Sequence, residues 1–160
     1  MSEDRPNENR PSLEPGTLVF GIGNSARSDD GLGWAFLDRL QEETILSGQL
    51  EYRYQLQVED AALISGVDRV IFIDSYRGDL PNGFQWTPCE PMKEFAFTTH
   101  VLPPGAVLSL CRDLYGKSPR ADTLMVQGAC WDLQIGISPE AERHLENALR
   151  FFRSYWRGTP

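Results

Sequence analysis

Three side chains stand out by type and context as able to do chemistry together: Asp30, Asp74 and His100. Asp30 lies in GIGNSARSDDGLG, residues 21 to 33, between an apolar run and a stretch with helical spacing. Asp74 follows the apolar run VIFI directly, and His100 lies in FTTHVLPPG, just before another helical stretch. Two carboxylates and an imidazole form an open three-ligand set for a divalent ion of the zinc or nickel type. Such an ion polarises a carbonyl and lowers the pKa of bound water. Without a metal, two close carboxylates can share a proton and serve as general acid and base. The residue types alone leave both chemistries open.

The glycine loop has two other readings. Gly21, Gly23 and Ala26 satisfy the GxGxx(G/A) spacing of a dinucleotide site formally. A pyrophosphate, however, needs bare backbone N–H groups at a helix N-terminus, and Asp29 and Asp30 would occupy those groups and repel an anion. Capping is the second reading, with Ser28 or Asp29 as N-cap and Asp30 favourable at the helix dipole. Capping accounts for one acid better than for two followed by Gly31 and Gly33, which would let another backbone or a substrate chain approach closely. An Asp at the rim of a buried strand is costly unless paired or ligated, which singles out Asp74. Arg77 and Asp79 behind it read as solvated charges, and Glu59 and Asp60 as further acids near the same rim. His144, flanked by Glu142 and Glu146, reads as a boundary residue of the last helix. The chain contains neither a GxSxG elbow nor an HExxH pair.

The elements that must position these groups follow from hydrophobic periodicity. TLVFGI (17–22) and DRVIFID (68–74) are short apolar runs that suit strands buried on both faces. TLMVQGA (123–129) reads the same way, and the alternating EYRYQLQV (51–58) as a strand nearer an edge. FQWTP after the Asn82-Gly83 turn predicts a short antiparallel strand. A helix from Leu32 carries Phe36, Leu37, Leu40 and Ile45 on one side, and EDAALISGV a short helical segment. A helix from near Pro104 presents Val107, Leu110, Cys111 and Leu114 and stops at Gly116. The last helix opens at Ser138-Pro139-Glu140 and buries Ala141, Leu145, Ala148, Leu149 and Phe152. The order β-α-β-α-β, then β-α-β-α, predicts an α/β fold with a mostly parallel sheet between helices. Ligands of such folds collect outside the carboxyl ends of the strands, where Asp30 and Asp74 fall.

Length and charge bound the rest. The 160 residues suit one domain, expected over 17–157 behind a disordered polar tail, 1–16. A net charge of −8 argues against nucleic acid as partner. No apolar run approaches the ~20 residues that span a bilayer, so no membrane partner is expected. Cys89, Cys111 and Cys130 form no CxxC pair and read as reduced, packed thiols of a cytoplasmic protein rather than nucleophiles.

The loop GIGNSARSDDGLG resembles the GxGNxxxxD(D/E)GxG motif of the hydrogenase maturation endopeptidases. DRVIFIDSYRGDLPNG, TTHVLPPGAVLSL and VQGACWDLQIGISPEAE extend the resemblance in order, from about Thr17 to Phe152. Members remove a short C-terminal peptide from the large subunit of nickel-iron hydrogenases. The resemblance implies a three-layer sandwich around a five-stranded sheet and a hydrogenase large-subunit precursor as partner. It also implies that Asp30, Asp74 and His100 contact metal, and that this metal is nickel already seated in the substrate, with no nucleotide. Gly23, Asn24, Asp29 and Gly31 would shape the cleft for the extended substrate tail. Where many members carry a glycine-rich Asp-Gly-Gly-Thr-like stretch after strand two, this chain has QLQVEDAALI. A binding module that recognises the nickel-loaded subunit without cutting it, and a nucleotide-binding α/β protein, are the alternatives. Oligomeric state is left open.

Overall fold

The computed structural model describes residues 12–13, 16–43, 45–46, 48–93 and 102–156. Five strands form the main sheet: β1 (Thr17–Ile22), β2 (Gln49–Arg53), β3 (Arg69–Tyr76), β4 (Phe84–Pro88) and β5 (Arg120–Gln127). Four helices accompany them: α1 (Leu32–Glu43), α2 (Asp60–Ile64), α3 (Pro104–Tyr115) and α4 (Pro139–Trp156). The strand order is β2-β1-β3-β5-β4, parallel except for β4 against β5. Of the segment expected to be a tail, Ser12–Leu13 pairs in parallel with Ile45–Leu46.

Strand parity sorts the core into two layers. On β1 and β3, Val19, Ile71 and Ile73 face Phe36, Leu37 and Leu40 of α1 and Leu145, Leu149 and Phe152 of α4. Leu18, Phe20, Val70 and Phe72 face the other way, toward Ala61 and Ile64 of α2 and Val107 and Cys111 of α3. Each fully buried Leu, Ile or Phe contributes ~1.5–3 kcal/mol, which is why the central strands carry apolar residues on both faces. The result is the expected α/β/α sandwich. On β3, Asp74 continues the parity of Val70 and Phe72 and Ser75 that of Ile73, so neighbouring residues reach opposite faces of the sheet.

Several boundaries differ from the periodicity reading, each for a local reason. Strand β2 ends at Arg53, because Asp60 gathers the Arg53 guanidinium (3.1 and 3.2 Å) and the Gln57 N–H (2.8 Å) and turns the chain. Leu56 then forms an isolated antiparallel bridge with Leu102. Strand β3 runs on past Asp74 to Tyr76, since β5 continues to pair with it through Tyr76↔Gln127. Ile45 lies beyond the end of α1, in the short pair with Ser12–Leu13. Leu114, in the last turn of α3, is 62% exposed because that turn passes the edge of the apolar cluster. Gly116 ends α3 in the left-handed conformation, as expected of a C-terminal glycine.

At the opposite end of the sheet from Asp74, a buried ion pair ties β3 to β5. Arg69, 8% exposed, donates to Asp122 (3.0 Å) and to the Tyr155 hydroxyl (2.8 Å). Arg120 reaches the same hydroxyl (2.9 Å), which binds the last turn of α4 to the sheet.

Candidate functional site

The candidate site lies where β1 and β3 run side by side and the chain leaves them in opposite directions across the sheet. Strand β1 is followed by α1 and then β2 on one flank, while β3 lies on the other. Such a switch point opens a crevice at the carboxyl ends of the strands. The loop after β1 enters it as a single 3-10 turn, Ser28–Gly31.

Glycines allow that loop to fold back onto its own strand. Gly23 has φ +143°, and a Cβ there would run into the carbonyl oxygen of Asp30. That oxygen accepts the Asn24 N–H (3.1 Å). A Cβ on Gly33 would meet Ile22 O at 2.5 Å and Ile73 O at 2.7 Å, so the start of α1 packs directly on β1 and β3. A Cβ on Gly31 would meet Ser25 Cα at 2.9 Å. All four glycines of the loop, Gly21, Gly23, Gly31 and Gly33, are buried. Their bare backbone faces the chain itself.

Asp30 and Asp74 both contact Ser75, Asp30 at its hydroxyl and Asp74 at its backbone N–H. The Ser75 hydroxyl lies 3.4 Å from Asp30 Oδ1, and the Ser75 N–H donates to Asp74 Oδ1 at 2.8 Å. Burial is the main influence on Asp74, pushing its carboxyl up to about 7. The negative charge of Asp30 adds to that, against the hydrogen bonds from Ser75. The pair thus combines two carboxylates with one proton held near neutrality, a combination suited to acid–base work or to gripping a cation. His100 lies outside the described residues, ahead of α3. Among the described residues no group of three His, Cys, Asp or Glu side chains comes together to hold a metal ion.

Asp29 has a different environment from its neighbour. It was expected as an N-cap or as a lining of the substrate cleft, and it is 0% exposed. Its Oδ1 accepts the Ser138 N–H (2.7 Å). Its Oδ2 accepts Ala129 N–H (2.7 Å), Cys130 N–H (2.8 Å) and the Ser138 hydroxyl (2.7 Å). Burial would raise this carboxyl. The backbone of Ser138 and Ala129, the Ser138 hydroxyl and the backbone of Cys130 outweigh it and hold Asp29 below the usual carboxylate range. Ser28, with φ +51°, sends its N–H to Gln134 O (2.7 Å) and its hydroxyl to Asp132 O (2.8 Å). Asn24 stays half-buried at the loop entrance, its Oδ1 accepting the Ala26 N–H at 2.9 Å.

The wall opposite this loop, residues 128–138, enters the sequence reading only through the resemblance and the start of the last helix, with no role at the site. Arg77 stacks over Trp131 at 4.3 Å, and Leu133 and Ile135 project 78% and 85% exposed from a backbone held by Ser28 and Asp29. The signal is the alternation of Trp131, Leu133, Ile135 and Ile137 with Asp132, Gln134 and Gly136, in a segment outside the sheet. Asp60 is 3% exposed and paired with Arg53, so it is a turn-former here. Cys111 is buried, and burial pushes the Cys89 thiol up to about 11, which suits packing rather than nucleophilic work. His144 sits half-buried against Gly83 with Nδ1 2.8 Å from Gln127 O. It borders an open depression of about 620 Å³ whose lining includes neither Asp30 nor Asp74.

No known family profile matches the chain, and no curated protein matches it by sequence. Solved structures do. The hydrogenase maturating endopeptidase HybD from E. coli is similar with a TM-score of 0.67 and 23% identity, over 85% of this chain and 88% of that one. The [NiFe] hydrogenase maturation protease HycI from Thermococcus kodakarensis KOD1 matches with 0.66 and 21%, over 94% and 98%. The hydrogenase 2 maturation peptidase from a Thaumarchaeota archaeon matches with 0.63 and 19%, over 87% and 96%. At such identities what is shared is the fold, and function has to be argued from the site.

Proposed function

We propose that this chain is an endopeptidase that removes the C-terminal peptide from the large-subunit precursor of a nickel-iron hydrogenase after nickel insertion. The observation that carries the proposal is that Asp30 and Asp74 both contact Ser75 at the switch point of the sheet, with the Asp74 carboxyl raised to about 7 by burial and by the charge of Asp30. The shared fold of the maturation proteases supports the same reading. Asp30, Asp74 and His100 contact the nickel that the precursor brings, and that contact holds the scissile peptide in register for the cut, so that only loaded substrate is cleaved. Oxygen and imidazole donors suit a borderline ion of that kind.

In the cut itself, water oxygen bonds to the scissile carbonyl carbon and its proton passes to the Asp74 carboxylate. That proton is then delivered to the departing nitrogen as the C–N bond breaks. A carboxylate beside the attacking water can take and return a proton in this way. The reaction belongs in the cytoplasm, where the three free thiols stay reduced. No helix among the described residues is long and apolar enough to cross a membrane.

The test is incubation of the purified chain with nickel-loaded and nickel-free precursor, followed by mass spectrometry of the precursor's C-terminus. Loss of a C-terminal fragment only from the loaded form is the expected result, and Asp74→Ala abolishes it. Stable capture of loaded precursor with an unchanged C-terminus would establish the binding-module alternative instead.

A further inference from the structure

We propose that Asp29 is the positioning residue of this site: its buried carboxylate clamps the 128–138 wall and thereby sets where the neighbouring Asp30 points. This rests on the peptidase reading above. A fully buried carboxylate without a cation beside it is expensive, and it persists only when its oxygens are well supplied with donors. Asp29 has four, three from backbone N–H groups and one from the Ser138 hydroxyl, all at 2.7–2.8 Å. They come from two places, the start of the wall at Ala129 and Cys130 and the start of α4 at Ser138. The Ser138 hydroxyl oxygen in turn accepts the Ala141 N–H (3.2 Å), so the clamp also caps α4.

The backbone grips in both directions. Asp29 N–H donates to Cys130 O (3.0 Å), and Ser28 N–H to Gln134 O (2.7 Å). Ser28 pays for that contact with a left-handed φ of +51°, unusual for a residue with a side chain. On the other side, Asp30 N–H donates to Arg27 O and Asp30 O accepts from Asn24 N–H, both at 3.1 Å. Asp30 is one peptide bond from the clamp and is the residue whose carboxylate faces Ser75. With its backbone held front and back, that carboxylate has only its own side-chain torsions left to vary.

The clamp demands a carboxylate specifically. Asn fills the same volume, but its NH2 must replace one oxygen. In one orientation it faces the Ser138 N–H; in the other it faces the N–H groups of Ala129 and Cys130. Either way donor meets donor in a buried place. Two adjacent acids in SDDG therefore divide the labour: the first is consumed by the fold and the second is presented to the substrate.

The experiment compares Asp29→Asn with Leu149→Ala, a cavity variant on α4 chosen as a control for lost stability away from the carboxylates. With rates normalised to folded protein, Asp29→Asn should lose about 100-fold in kcat, the scale expected when a reacting group is misplaced by about 1 Å. KM for the precursor should stay within a few-fold, and Leu149→Ala should keep the wild-type kcat. Wild-type kcat in folded Asp29→Asn overturns the proposal. If that variant does not fold, Ser138→Ala decides: it removes one donor of four, so a smaller kcat loss at unchanged KM is expected, and no kcat change overturns the clamp. A wild-type chain that leaves loaded precursor whole counts against the peptidase reading alone. The clamp is then judged by the 13C shift of the Asp30 carboxyl carbon, which moves in Asp29→Asn if Asp29 sets it and holds still if it does not.

Discussion

Replacing Asp74 by Asn should make the protein more stable at neutral and alkaline pH while abolishing its activity. Asp74 is held up to about 7 against an ordinary 3.8, chiefly by burial. The unfolded chain releases this proton near pH 4, whereas the folded chain keeps it until near pH 7. Stability is therefore intact below about pH 4 and falls as pH rises through about 7. The full displacement corresponds to ~4 kcal/mol at 1.36 kcal/mol per pH unit, and solvent at the half-open rim reduces it to roughly 2 kcal/mol. Asn is neutral throughout, its carbonyl still accepts the Ser75 N–H, and it relieves the repulsion with Asp30. Thermal unfolding followed by circular dichroism from pH 4 to 8 reads the difference. The two melting curves should lie together at pH 4 and separate with rising pH, the variant ending about 4–8 °C higher at pH 8. A gap that is the same at every pH, or a variant less stable at pH 8, would refute the claim that a buried, charge-repelled carboxyl is maintained at the expense of stability.

Asp29 predicts the opposite sign. Its carboxyl is held below the ordinary range, so the stability it confers is present above about pH 4 and lost on acidification, and Asp29→Asn should flatten the acid limb of a stability–pH profile measured in urea. Gly23→Ala combines φ +143° with a collision against the Asp30 carbonyl, so a loss of about 3 kcal/mol is expected together with loss of cleavage, read by urea unfolding and the precursor assay. Asp122→Ala strips the carboxylate from Arg69 in the interior and should cost about 3 kcal/mol in urea unfolding, while the folded fraction cleaves at the wild-type rate because that ion pair lies at the far end of the sheet.

What the amino-acid order determined on its own is the layered α/β plan. Buried parallel strands need apolar residues on both faces, and TLVFGI and VIFI have them; helices need a stripe, and Leu32, Phe36, Leu37 and Leu40 supply it. The placement of Asp30 and Asp74 at the mouth followed from the same plan, because residues just after parallel strands share one end of the sheet. Tertiary structure alone decided how far each strand ran. Alternation in EYRYQLQV reads as a longer strand, whereas the folded turn in which Asp60 takes the Arg53 guanidinium and the Gln57 N–H ends it at Arg53. It alone also separated the two acids of SDDG. Their chemistry is identical in one dimension, and the donors that consume Asp29 arrive from residues about 100 positions away, so no local pattern could tell the buried carboxylate from the presented one.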